Sequence, residues 1–257
     1  MEEQLFQACK DGNVEEVKEL LQSSEIDINL QDSRYSRTPF YIACEHGHFE
    51  IVKLLLNDQR IEINKVFFDR TPLYIACSNG HIEIVKLLLK DERVDINKAD
   101  IYDQTPFYTA CDFGHIEIVE LLLNDKRADI NKANEHDRTP FWIACCRGHI
   151  EIVKLLLVCR REIDINKKDN DGKTGLDIAR EKGNEEKKEW ESEEDFENMK
   201  RNCLKIVELI ESFERNQNET RTKLRIELGL TGKFTYLFIY LFIYYCHHHS
   251  FLINLYL

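Results

Sequence analysis

The string GHIEIVKLLL at residues 80–89 recurs nearly letter for letter at 114–123 and 148–157, and as GHFEIVKLLL at 47–56. A second string precedes each copy: RTPFYIAC at 37–44, RTPLYIAC at 70–77, QTPFYTAC at 104–111 and RTPFWIAC at 138–145. The Thr-Pro pairs begin at 38, 71, 105 and 139, with a Thr-Gly at 174. Self-similarity with a fixed period of about 34 residues marks a stacked solenoid, in which each unit buries its apolar face on its neighbours.

Each unit reads as a helix pair. Thr can cap the orphan amides of a first helix and Pro is tolerated in its first turn. That helix ends at Gly47, Gly80, Gly114 or Gly148, where glycine suits the left-handed position. The second helix carries Ile, Val and a Leu triplet (Ile84, Val85, Leu87, Leu88, Leu89), a wide stripe that must be buried. Neither helix is long enough to stand alone in water, so several units are needed. Between units run extended segments such as VDINKADIYDQ, whose Asp and Asn residues favour a turn. These strings resemble the ankyrin repeat family over about residues 2–213. The resemblance implies an all-α solenoid of helix-turn-helix units with β-hairpin-like fingers. It says little about the ligand, because the family is defined by its scaffold.

Six units are expected, the outer two being caps. Residues 1–30 fit the template with more charge, as an N-terminal cap; four central repeats occupy 31–168. A C-terminal cap spans 169–216 and contains an acidic insertion at 185–202, with 185–216 expected as one long or broken helix. Residues 217–233 read as a polar linker, and 234–257 as an aromatic, hydrophobic tail.

A net charge of −12 and a pI near 5.3 argue against nucleic acid as the partner. From 181 to 200 there are nine acidic and four basic side chains. That stretch reads either as a solvated helix keeping the end of the stack soluble or as a docking segment for a basic partner. Cys9, Cys44, Cys77, Cys111 and Cys145 occupy one equivalent site. Stacked helices lie about 8–10 Å apart, beyond the roughly 7 Å Cα limit of a disulfide, so these are expected as free thiols between repeats. With no signal peptide at MEEQLFQACK, they place the chain in a reducing compartment, the cytoplasm, with the nucleus as the other candidate. His48, His81, His115 and His149 form a second column, too widely spaced to share an ion. The resemblance implies a structural role for them, tying the helix-linking turn to the neighbouring backbone. No metal and no cofactor are expected.

Two departures from the family pattern stand out. The family's Thr-Pro-Leu-His carries an aromatic at its fourth position here: Tyr41, Tyr74, Tyr108 and Trp142. Its tip glycine is replaced by Ser36, Asp69, Asp103 and Asp137, and only Gly172 keeps it. Aspartate tolerates left-handed geometry better than most residues. The loop is one residue long before Thr38 and one short before Thr71.

The extended concave surface of a solenoid is where partners bind, and the resemblance places finger tips and inner helices there. The variable sites on that surface supply the candidate partner-binding residues: Tyr35, Arg37, Phe68, Arg70, Tyr102, Gln104, Asp112, Phe113, His136, Arg138 and Arg147. Exposed aromatics beside arginines are enriched at binding hot spots. The bland alternative is that the aromatics pack on adjacent fingers while the arginines pair with aspartates. No phosphate loop, HExxH, CxxC or serine with a base is present, so an enzyme is not expected. The tail FTYLFIYLFIYYCHHHSFLINLYL has an apolar run, 234–246, shorter than the roughly 20 residues that span a bilayer. It reads as a membrane anchor, as an aggregation-prone strand, or as translated AT-rich noncoding DNA from a misplaced stop or intron boundary. The expected function is a non-catalytic protein–protein interaction module or adaptor binding another protein. The alternative is a membrane-tethered ankyrin protein anchored by that tail.

Overall fold

A computed structural model describes residues 1–32, 36–186 and 192–230. Among these are thirteen helices and no extended strand. They divide into two units, 1–208 and 209 onward.

In the first unit the Thr-Pro motif does what its chemistry allows. Thr38 Oγ1 accepts a hydrogen bond from Tyr41 N at 3.1 Å and starts α3 (Pro39–His46). Thr71, Thr105 and Thr139 start α5 (Pro72–Ser78), α7 (Pro106–Phe113) and α9 (Pro140–Arg147) in the same way. At the Thr-Gly variant the lost proline is offset by a reciprocal cap. Asp177 N donates to Thr174 Oγ1 at 3.2 Å and Thr174 N to Asp177 Oδ2 at 3.0 Å, opening α11 (Gly175–Asn184). With α1 (Glu2–Asp11) these form the inner layer, each packed on the next.

The outer layer is α2 (Val14–Leu20), α4 (Phe49–Leu56), α6 (Ile82–Leu88), α8 (Ile116–Asn124) and α10 (Ile150–Val158). Ile84, Val85 and Leu88 are buried, as are their equivalents in α4 and α8. The Leu triplet is not buried whole: Leu87 and Leu89 are half-buried, because residues one apart on a helix point about 100° apart. At the end of the stack Leu155, Leu156 and Leu157 are all buried. There α12 (Glu193–Arg215) lays Met199 and Cys203 on Gly148 and Leu204 on Gly183. The helix begins within the expected acidic insertion.

Two polar columns clamp neighbouring repeats. Asn29, Asn64, Asn97 and Asn131 each bridge to the following repeat; Asn97 donates to Arg127 O at 2.8 Å and accepts from Asp129 N at 2.7 Å. Arg60, Arg93 and Arg127 reach back instead. Each pairs with the Asp two residues before it and donates to a carbonyl of the preceding repeat, as Arg127 does to Leu89 O at 2.7 Å.

In the second unit the segment 217–233, expected as a polar linker, instead carries α13 (Gln217–Glu227), opened by Asn216 accepting from Glu219 N at 3.2 Å. Thr220 Oγ1 donates to Ser212 O at 3.1 Å and Arg221 lies 5.1 Å over the Phe213 ring. The apolar signal is thin: only Thr220 and Leu224 of this helix are buried. The tail 234–257 lies outside the described residues.

Candidate partner-binding surface

Five turns, here called fingers, precede the inner helices α3, α5, α7, α9 and α11. Among the described residues none is a strand pair; each finger is closed by a local backbone bond. Asp100 N donates to Gln104 O, Asn134 N to Arg138 O and Asp169 N to Lys173 O, all at 3.0 Å. The side chain at the first position completes the turn: Asp100 Oδ1 accepts from Tyr102 N and Gln104 N at 3.0 and 3.1 Å. The odd loop lengths are absorbed at these closures. Finger 1 closes one residue wider, Asp32 N to Arg37 O at 2.9 Å. Finger 2 closes one tighter, Phe67 and Arg70 exchanging two bonds of 3.0 and 2.9 Å. Ser36, Asp69, Asp103 and Asp137 stand where the family has glycine, all at φ between 57 and 60°. Fingers 3, 4 and 5 are also joined tip to tip, Glu135 N donating to Tyr102 O and Asn170 N to His136 O, both at 3.1 Å.

The aromatic column is core. Tyr41, Tyr74, Tyr108 and Trp142 are buried, and the hydroxyls of Tyr74 and Tyr108 turn inward. Tyr74 OH donates to Asp100 Oδ2 at 3.1 Å, and Tyr108 OH accepts from Asn134 Nδ2 at 3.2 Å. Burial and the Asp100 carboxylate push the Tyr74 phenol up to about 12.

Of the candidate residues, Tyr35 lies outside the described set. The arginines are each met by a carboxylate of the protein. Arg37 reaches Glu45 at 3.1 Å. Arg70 reaches Asp100 at 3.4 Å and lies 5.3 Å over the Tyr74 ring. Arg138 reaches Asp169 at 3.5 Å and covers Trp142 at 4.5 Å. Arg147 bonds Asp112 at 2.7 Å, and the Gln104 side chain lies 3.3 Å from Tyr74 OH. The aromatics behave differently: Phe68 is 65% exposed, Phe113 58% and Tyr102 45%. His136 stands exposed beside Glu135, 3.7 Å away. These residues fall in two rows. Phe68, Arg70, Tyr102, Gln104, His136 and Arg138 belong to the fingers. Asp112, Phe113 and Arg147 lie one inner-helix length further on, about 12 Å for eight residues. Ile101, exposed beside Tyr102, is a finger-tip residue the sequence reading passed over. Its signal was its place, one residue before an aromatic already singled out.

The family models described as "Ankyrin repeats (3 copies)" match residues 61–134 and 126–189, and "Ankyrin repeats (many copies)" matches 5–56. The chain belongs to the ankyrin repeat family. The crystal structure of EF0377, an ankyrin repeat protein, superposes with a TM-score of 0.66 at 28% identity, covering 79% of this chain and 98% of that one. A search of the curated proteins finds no match. Ankyrin repeats are general protein–protein interaction modules, typically non-catalytic. The expected histidine role is seen in this ankyrin stack: the Nε2 atoms of His48, His81, His115 and His149 donate to Lys10 O, Glu45 O, Ser78 O and Asp112 O at 2.9–3.0 Å. Among the described residues no group of three or more His, Cys, Asp and Glu could hold a metal ion, and no helix is long and apolar enough to cross a membrane.

Proposed function

We propose that this ankyrin repeat protein is a non-catalytic adaptor that binds another protein across its fingers and the exposed ends of its inner helices. One observation carries the reading: three aromatics, Phe68, Tyr102 and Phe113, stay exposed on the variable sites of that surface, while the aromatics of the repeat motif are buried. Large exposed aromatics cost solubility and are the side chains that anchor interfaces. The arginines, already paired internally, serve the reading as oriented rim groups rather than as free charges. We place the protein in the cytoplasm. Its column of buried, unbridged thiols supports a reducing compartment.

The test compares the full chain with the Tyr102→Ala/Phe113→Ala double variant as bait, followed by titration against the recovered protein. The variant should keep its helical circular dichroism and lose at least about 2 kcal/mol of binding. Unchanged affinity would move the interface off this surface.

A further inference from the structure

Resting on that reading, we propose that fingers 2 and 3 form the anchor of the interface, with Phe68 as a projecting knob. The partner they fit is a folded protein offering an apolar pocket rimmed by lysine or arginine.

The knob follows from backbone geometry. Finger 2 is the tight one, and closing it on Phe67 and Arg70 leaves two residues in the turn. Both take the left-handed conformation, Phe68 at φ 48° and Asp69 at φ 57°. Such turns favour Asn-Gly, and a bulky aromatic at positive φ is a strained outlier. The strain is not repaid by burying Phe68. Phe67 does the rooting, its ring 5.6 Å from Tyr41 in an edge-on contact, while Phe68 tilts off Phe67 at 4.5 Å and stays two-thirds exposed. Backbone strain kept where most of the side chain stays in solvent points toward function. The neighbouring tip continues the patch with exposed Ile101 and Tyr102. Further along, fingers 4 and 5 carry Glu135-His136 and Asn170-Asp171 at the same two sites, so the apolar tips stop at finger 3.

The charge of the partner follows from which side chains are left over. Arg37, Arg70, Arg138 and Arg147 each face a carboxylate of the protein. Beside the two tips lies a recess of about 430 Å³ lined by Asp69, Asp95, Asp100 and Asp103 against Lys98 and Lys132. Lys98 pairs with Asp69 at 3.4 Å and Arg70 with Asp100, which leaves two carboxylates for one lysine. On a chain of net charge −12 this favours a cationic rim and disfavours a second copy of the same acidic face.

The experiment places the photo-crosslinker p-benzoylphenylalanine at position 68 or 113 of the full chain, exposes it to host-cell extract, and sequences the crosslinked segment. The captured protein, purified, is then titrated against Phe68→Gly and Asp103→Lys. The proposal expects crosslinking from 68 into an apolar segment flanked by lysine or arginine. Phe68→Gly should weaken binding by roughly tenfold or more while leaving the melting temperature unchanged or higher, since glycine relieves the turn. Asp103→Lys should weaken binding at low salt and less at high salt. Crosslinks from 113 alone would overturn the anchor yet leave the concave interface standing. Crosslinks from 68 into an acidic segment or a second copy of this chain would overturn the partner's chemistry. Crosslinks from neither position would overturn both readings.

Discussion

The imidazole of His81 fills the space that a Cβ on Gly47 would need: its Cε1 lies 2.7 Å from that point, while its Nε2 donates to Glu45 O at 3.0 Å. The glycine of one repeat and the histidine of the next are therefore a single device. The same contact joins Gly12 to His48, Gly80 to His115 and Gly114 to His149.

Replacing Gly47 by alanine should cost more than its backbone conformation explains. At φ 76° a Cβ costs about 1–2 kcal/mol, and the displaced His81 ring would add the loss of its hydrogen bond, about 1 kcal/mol. Gly172 is the control, with φ 77° and nothing within 4 Å of a Cβ. Urea unfolding should show Gly47→Ala clearly worse than Gly172→Ala. Equal losses would mean that the histidine moves aside freely.

The thiol column should be inert in the folded protein. Cys44, Cys77, Cys111 and Cys145 are fully buried, and burial pushes their thiols well above the ordinary range; Cys9 is pushed up to about 12 and Cys203 to about 11. Of the described cysteines, a thiol reagent near pH 8 should label the partly exposed Cys146 and Cys159 first and reach the column only with denaturant. Fast native labelling of Cys77 or Cys111 would contradict the packing.

Acid should weaken the arginine clamps. The Arg127 guanidinium, 2.7 Å away, holds the Asp125 carboxyl below its ordinary 3.8, helped by Arg127 N–H. A carboxyl depressed on folding stabilises above its unfolded value and loses that contribution as pH falls through the folded one. Asp125→Asn should therefore be less stable than the native chain at pH 7, and the difference should shrink toward zero below pH 3.8. A gap that persists in acid would assign the loss to something other than ionisation.

The scaffold was legible because its signals are apolar and periodic: Thr-Pro starts, glycine stops and the Ile-Val-Leu stripe recur in register. The polar clamps recur too, in DIN at 95–97 and 129–131 and in Asp-x-Arg at 91–93 and 125–127. They went unread because nothing in an isolated segment says that Asn97 or Arg127 is satisfied by a repeat some 30 residues away. Which partners the arginines of the candidate surface meet was hidden in the same way. Arg70 and Arg138 are free in sequence and paired in space, since Asp100 and Asp169 come from the next finger. Exposure of Phe68 against half-burial of Phe67 turned on one missing residue in a loop. Helix α13 escaped because two buried side chains make too narrow a stripe to stand out among polar neighbours.

Tyr74 and Asp100 give the sharpest test of how the core positions the fingers. The Asp100 side chain has no solvent exposure. Its Oδ1 holds the amides of Tyr102 and Gln104, and its Oδ2 takes Tyr74 OH at 3.1 Å and Arg70 Nε at 3.4 Å. Tyr74→Phe removes one of the donors that make this carboxylate tolerable inside the protein, and should cost about 1–3 kcal/mol. Asp100→Asn should keep the bonds to the Tyr102 and Gln104 amides, as Asn134 does in finger 4, and lose the ion pair with Arg70. Combining the two changes should be non-additive by about 0.5–3 kcal/mol, as expected for groups in direct contact. The functional consequence is separable. If the pair sets the tip carrying Ile101 and Tyr102, Tyr74→Phe should also weaken partner binding at a temperature where the chain is still folded. Additive stabilities with unchanged binding would show that finger 3 keeps its shape without the core beneath it.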